Sequence, residues 1–248
     1  MNGSAETGWA ELRRLTAARI GLERAGASLG TRPLLAFRLA HARARDAVHA
    51  ELDEARLLAA LPGPALSVAS QAEDRRTYLM RPDLGRALGP ASAARLRNRA
   101  GRFDLAIVLG DGLSAAAVER HAPPLLAALL PALEGWRLAP LAVARHARVA
   151  LGDRVAEALG AASVLMLIGE RPGLSAPDSL GAYLTWAPGS ATTDAGRNCV
   201  SNIRPEGLAY AEAAFRLAFL LDRMRALRRS GVGLKDESAS AFLTPPTR

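Results

Sequence analysis

The sequence predicts an α/β protein in which a mostly helical N-terminal part, residues 1–100, precedes a parallel, doubly wound sheet domain, residues 101–248, with helices on both faces. Three observations point there. Short apolar runs at 105–109 (LAIVL), 137–144 (RLAPLAVA) and 163–168 (SVLMLI) alternate with stretches whose apolar residues recur at helical spacing. The first hundred residues carry mainly the helical period. Half of the 248 residues are apolar, enough for a sheet covered on both sides. Ligands of such folds bind outside the carboxyl ends of the strands.

Residues 9–25 (WAELRRLTAARIGLERA) read as a helix stopped by Gly26. Gly30-Thr31-Arg32-Pro33 opens a second, long helix to about Leu61. Thr31 suits its cap, Pro33 suits its first turn, and Pro62-Gly63-Pro64 ends it. Residues 65–70 read as a short extended piece and 91–100 as a helix. After the run 105–109, Gly110-Asp111-Gly112 turns the chain into a helix at 113–122. Pro123-Pro124 separates it from a second helix at about 125–133. Val149-Ala150-Leu151 is short and apolar, and a helix at 152–160 follows. Ile168–Leu208 reads as one long connection rich in Gly, Pro, Ser and Asn, and a helix at 207–229 closes the domain with Gly231 as its C-cap. So long a connection signals function, because ordering each of its residues costs about 1–2 kcal/mol of backbone entropy.

Composition narrows the functional classes. No run of eighteen apolar residues predicts a membrane span, and the N-terminus lacks the apolar core of a secretion signal, so a soluble, cytoplasmic chain is expected. The only cysteine, Cys199, cannot form an internal disulfide, and no Cys/His metal spacing occurs. The net charge of +8 comes from thirty-one arginines and Lys235 against 24 carboxylates. Nucleic-acid binding is not expected, since the arginines spread over both halves and aromatics for base stacking are only 4% of residues.

Gly110-x-Gly112-x-x-Ala115 matches the form of a dinucleotide fingerprint. Asp111 would face the phosphates, however, and the run 137–144 ends in Ala144-Arg145 without an acid to hold a ribose. The glycines read more simply as a tight turn. His41, His49, His121 and His146 are scattered, and no G-x-S-x-G elbow occurs, so no self-contained catalytic constellation is visible. That points to a chain which binds something whose chemistry is completed elsewhere. Asp111, Val149 and Glu170 fall near strand ends. Glu170 reads either as an acceptor for a ligand's amides or as a partner of a nearby arginine. Cys199 reads as a ligand contact or a small filler, and Arg171, Arg197 and Arg204 as phosphate ligands or ion-pair partners within the connection.

Several strings, in order and spanning about 18–236, resemble the small chain of ethanolamine ammonia-lyase, an adenosylcobalamin-dependent enzyme. They are SLGTRPLLAFRLAHARARDAVH (28–49), DRRTYLMRPDLGRAL (74–88), DLAIVLGDGLSAAAVERHA (104–122), ARVALGD (147–153), IGERPGLSAPDSLGAYLTW (168–186), TDAGRNCVSNIRPEGL (193–208) and GVGLKD (231–236). Gly30 departs from the proline expected in the family.

The resemblance implies a helical part followed by a Rossmann-like domain. It also implies a large partner chain holding the ethanolamine site and most catalytic groups, so this chain carries no catalytic residue and is inactive alone. Adenosylcobalamin would sit at the junction of the two chains, with the small-chain contacts mapping onto Val149, Glu170 and Cys199. None of the four histidines stands in an Asp-x-His-x-x-Gly string, so the expectation is that cobalt keeps the cofactor's own benzimidazole and this chain supplies no metal ligand. The N-terminus reads as short for the family, which leaves packaging in a bacterial microcompartment open. The competing expectations are a nicotinamide-dependent oxidoreductase resting on Gly110-x-Gly112 and a scaffold subunit that binds no cobalamin.

Overall fold

The computed structural model describes residues 3–16 and 18–239. In chain order its elements are helix α1 (Gly3–Arg14), strands β1 (Arg24–Ala25) and β2 (Ser28–Leu29), helices α2 (Thr31–His49) and α3 (Glu54–Ala60), strand β3 (Ala65–Ala69), and helices α4 (Arg75–Met80) and α5 (Pro90–Arg97). Then follow β4 (Ala106–Gly110), α6 (Ala115–Leu129), β5 (Leu141–Arg145), α7 (Val149–Leu159), β6 (Ser163–Gly169), β7 (Leu180–Trp186), β8 (Arg197–Ile203) and α8 (Tyr210–Leu227). Among the described residues no helix is long and apolar enough to cross a membrane.

The α/β expectation holds, with helices on both faces of a six-stranded sheet ordered β3-β5-β4-β6-β7-β8. Side chains of a strand alternate between faces, and the central strands use both. Ile107, Leu109, Val143, Leu165 and Leu167 pack under α6 and α8. Ala106, Val108, Ala142, Ala144 and Met166 pack under α7. That two-sided burial is why these strands read as unbroken apolar runs. The first four strands in the order are parallel, while β7 pairs antiparallel with both β6 and β8, so the sheet is mixed. Strand β3 falls before residue 100, so the sheet draws on both sides of the expected boundary at 100/101.

Several expected elements differ. The connection Ile168–Leu208 holds a β-hairpin, β7 and β8, whose burial pattern is broken by polar positions and by an irregular register between Leu180 and Ala182. The expected helix 9–25 stops at Arg14, and Gly26, at φ +62°, sits in the turn between β1 and β2. The long helix divides after His49 because Asp53 caps a new one, accepting the Arg56 N–H at 3.0 Å. Pro123 and Pro124 do not break α6. Its buried stripe of Val118, His121, Ala122, Leu125, Leu126 and Leu129 offsets the hydrogen bonds the two prolines remove. Helix α7 begins at Val149, three residues earlier than expected, and α8 ends on left-handed Arg228, with Gly231 beyond it in a separate turn.

Candidate functional site

Strand β4 lies between β5 and β6, and the chain leaves β4 toward β5 but leaves β6 toward β7. The order therefore reverses between β4 and β6, where a doubly wound sheet opens a crevice at its carboxyl edge. A cleft of about 410 Å³ occupies this place, lined by Gly112, Leu113, Ile168, Gly169, Glu170 and Arg171 from the ends of β4 and β6, Arg148 and Val149 from the start of α7, Tyr78 from α4 and Tyr183 from β7. The two turns are held close by glycine. A Cβ on Gly112 or Gly169 would collide with the backbone of the opposing turn, at the Gly169 and Ser114 carbonyl oxygens respectively, and the Leu113 N–H donates to the Gly169 carbonyl at 3.0 Å. Gly110 is filled on its open side by Met166 and Ala147. The glycines of the apparent dinucleotide fingerprint thus serve packing against β6.

Asp111 turns away from the cleft. It is buried, accepts the N–H groups of His146 at 2.9 Å and Ala147 at 2.8 Å, and pairs with the buried Arg75 at 3.3 Å. Burial pushes its carboxyl upward, and the two backbone donors and Arg75 pull against that. Through these bonds Asp111 ties the end of β4 to the loop that delivers Arg148 and Val149. Arg148 lies over the Tyr78 ring at 4.3 Å, with its Nε buried and without an acceptor. The Tyr78 hydroxyl donates to the Ala147 carbonyl at 3.1 Å, and burial pushes its phenol up to about 12.

Of the residues predicted from sequence, Val149 and Glu170 meet on the lining of this one cleft. Glu170 Oε2 accepts the Asn202 N–H at 3.1 Å, and its side chain packs over Gly181 of β7. Cys199 is exposed on β8, directly across from Tyr183 of the lining. The protein packed around this pair pushes both groups up, and each influences the other. Arg171 joins the lining. Arg197 instead forms a buried ion pair with Asp153 and a second with Asp194 at 2.8 Å, and Arg204 bonds Asn202 and Glu206. Sequence reasoning missed Tyr78, Arg148 and Tyr183. All three lie inside the strings that carried the resemblance, at 74–88, 147–153 and 168–186.

The lining combines an apolar wall (Leu113, Val149, Ile168), one carboxylate, two guanidinium groups and two phenols that stay protonated near neutral pH. Protonated phenols, arginines and one acceptor suit binding a ligand that carries polar groups better than moving protons. Among the described residues no group of three His, Cys, Asp or Glu side chains is placed to hold a metal ion.

Residues 6–235 match the family described as ethanolamine ammonia-lyase light chain (EutC). The chain is also similar to curated proteins named ethanolamine ammonia-lyase small subunit. The one from Azotobacter vinelandii is 55% identical over 247 residues, covering 96% of this chain and 92% of that protein. Those from Ralstonia nicotianae and Xanthomonas campestris pv. campestris are 54% and 53% identical over 244 and 248 residues, covering 95% and 96% of this chain and 90% and 91% of theirs.

Proposed function

The chain belongs to the ethanolamine ammonia-lyase light-chain family, and from that premise we propose that it is the cobalamin-orienting subunit of a two-chain enzyme converting ethanolamine to acetaldehyde and ammonia. The observation that supports this role is that Val149 and Glu170, distant in sequence, line one cleft at the point where the strand order reverses. The cleft is open, and a corrin is too large for it to enclose. A ligand of that size would be held by one edge here and covered by the large chain on the other.

When bound, adenosylcobalamin supplies the radical that takes a hydrogen from ethanolamine. What this chain contributes is binding and orientation. Val149, with Leu113 and Ile168, offers an apolar wall to the edge of a corrin. Glu170 accepts hydrogen bonds from its amide fringe. Arg148 has a buried Nε still without an acceptor, and Arg171 is a second donor for carbonyl or phosphate oxygens. Cys199, beside Tyr183, lies one strand further out and completes the rim through side chain or backbone. None of the cleft-lining residues is a histidine, and His146, the nearest in sequence, directs Nδ1 to the Ala72 carbonyl at 3.1 Å. In this proposal cobalt keeps the cofactor's own benzimidazole, and this chain gives it no ligand. The complex would work in the cytoplasm, free or inside a microcompartment.

The test is acetaldehyde formation by the cognate large chain, with and without this chain and with and without adenosylcobalamin. Turnover that needs both additions is expected. A competent large chain indifferent to this one would sink the proposal. A cob(II)alamin EPR spectrum carrying histidine nitrogen from this chain would overturn the prediction of no protein ligand.

A further inference from the structure

Helix α2 has no buried residue along its whole length of 19. Leu35 and Leu39, four apart and so on one face, are 58% and 53% exposed, and Phe37 is 39% exposed and stacks with His41 at a centroid distance of 6.3 Å. Earlier in the chain, α1 exposes Trp9 and Leu12. Helices in proteins draw most of their stability from packing an apolar face, and an apolar surface left open marks an interaction site. At 1.5 Å per residue the helix is about 28 Å long, enough to carry one side of a standard interface of roughly 800 Å² per partner.

Charge selects the occupant. Along α2 stand Arg32, Arg38, Arg43 and Arg45 against Asp46 alone. Among the described residues only Arg45 of these four is in an ion pair, with Asp46 at 3.4 Å. A second copy would bring the same excess of arginine face to face, which disfavours self-association. Position selects it too. Arg75 holds the last turn of α2, donating from Nε to the Val48 carbonyl at 2.8 Å, and reaches the Gly112 carbonyl on the cleft lining at 2.8 Å. Arg19 bonds the Leu174 carbonyl at 3.4 Å, in the segment that also carries Glu170 and Arg171. The C-terminal end of the helix therefore meets the cleft at Arg75, and a body covering one is placed to reach the other.

We infer that α2 is the main docking surface for the large chain, seated in an apolar groove of that chain edged with carboxylates. This rests on the two-chain reading above.

The experiment titrates the cognate large chain with the full chain, in wild-type form and with Leu35→Asp plus Leu39→Asp, by sedimentation and by calorimetry. Both positions are exposed, so the circular-dichroism melt of the isolated variant should match the wild type. Its affinity for the large chain should fall at least about 100-fold. The pair Arg38→Glu plus Arg43→Glu should weaken binding about 10-fold and flatten its salt dependence. Wild-type affinity in both variants, with a wild-type chain that does bind, would overturn the inference while leaving the two-chain reading standing. A wild-type chain that does not bind the large chain would remove that reading and the inference with it. Self-association, or retention on vesicles of anionic lipid, that is lost in the leucine variant while large-chain binding persists would assign the face to that occupant instead.

Discussion

Strand β4 and helix α2 both carry apolar residues and end in opposite states. Every residue of β4 is buried, and none of α2 is. The strand is fixed by contacts within the chain, under α6 and α8 on one face and α7 on the other. The helix packs lightly against α6. Its C-terminal turn is tied to the body by Arg75, and Leu34, Ala47 and Val48 are half-buried, while Leu35, Phe37 and Leu39 stay exposed. Apolar residues at helical spacing therefore carry two different messages, a core here or a partner's core elsewhere. Only the tertiary structure tells them apart.

The difference should appear first in stability. Leu109→Ala removes a fully buried side chain from β4 and should lower the unfolding free energy of the isolated chain by about 2–5 kcal/mol. Leu35→Ala should leave it within about 0.5 kcal/mol. Equal losses in urea titrations would mean α2 is packed in the isolated chain after all. Glycine gives a second contrast. Gly112 and Gly26 both have positive φ, +55° and +62°, but a Cβ on Gly112 collides with the Gly169 carbonyl, and one on Gly26 meets nothing within 4 Å. Gly26→Ala should cost about 1 kcal/mol, the left-handed penalty alone. Gly112→Ala should cost about 3 kcal/mol, because overpacking adds to it. Thermal melts of the two variants would separate the terms, and similar shifts would show that the turns between β4 and β6 can move apart.

Most of the body was legible in the sequence because two-sided burial leaves an unbroken apolar run. The runs at 105–109 and 163–168 are strands, and the reversal between them is where Val149 and Glu170 meet. The hairpin β7–β8 was hidden by its polar interruptions. Arg197, Asn198, Ser201 and Asn202 lie within β8, where Arg197 is neutralised by Asp153 and Asn198 bonds the Leu234 carbonyl at 2.7 Å. Such long-range satisfaction of polar groups leaves no local periodicity to read. The helix break at Asp53 turns on a cap and on the Glu119 carboxylate that accepts the Asp53 N–H at 2.9 Å, again a contact across the fold. Cys199, expected in a loop, lies on β8 opposite Tyr183, one strand out from the cleft lining.

The body also carries the proposed cofactor edge, and there the comparison sharpens to one atom. Glu170→Gln keeps an oxygen for the Asn202 N–H, so the isolated chain should melt as the wild type does. What changes is the acceptor presented to a ligand. Adenosylcobalamin affinity of the assembled complex should fall about 10-fold, or about 1.4 kcal/mol, with little effect on association of the two chains. The leucine variant of α2 should do the reverse, losing association while leaving the cleft residues intact. Were Glu170→Gln to leave cofactor affinity untouched, the carboxylate would be no more than a tie between β6 and β8, and the scaffold reading would gain.

The smallest effect concerns pH. His121 is buried on α6, with Nδ1 bonded to the Tyr210 hydroxyl at 2.8 Å, whereas His41 and His49 stand exposed on α2. Burial holds the imidazole of His121 below its ordinary 6.5, against the pull of Asp178. A group depressed on folding binds fewer protons in the folded state. Its stabilising contribution is therefore complete above pH 6.5 and is lost as the pH falls through 6.5 toward the folded value. Denaturant midpoints taken between about pH 8 and pH 5 should decline on the acid side in the wild type. His121→Gln, which keeps a partner for Tyr210, should reduce that decline, and the α2 leucine variant should retain it in full. A decline that vanished with the α2 variant instead would place the titrating group on α2, and with it more of the chain's own stability than the exposed face of α2 implies.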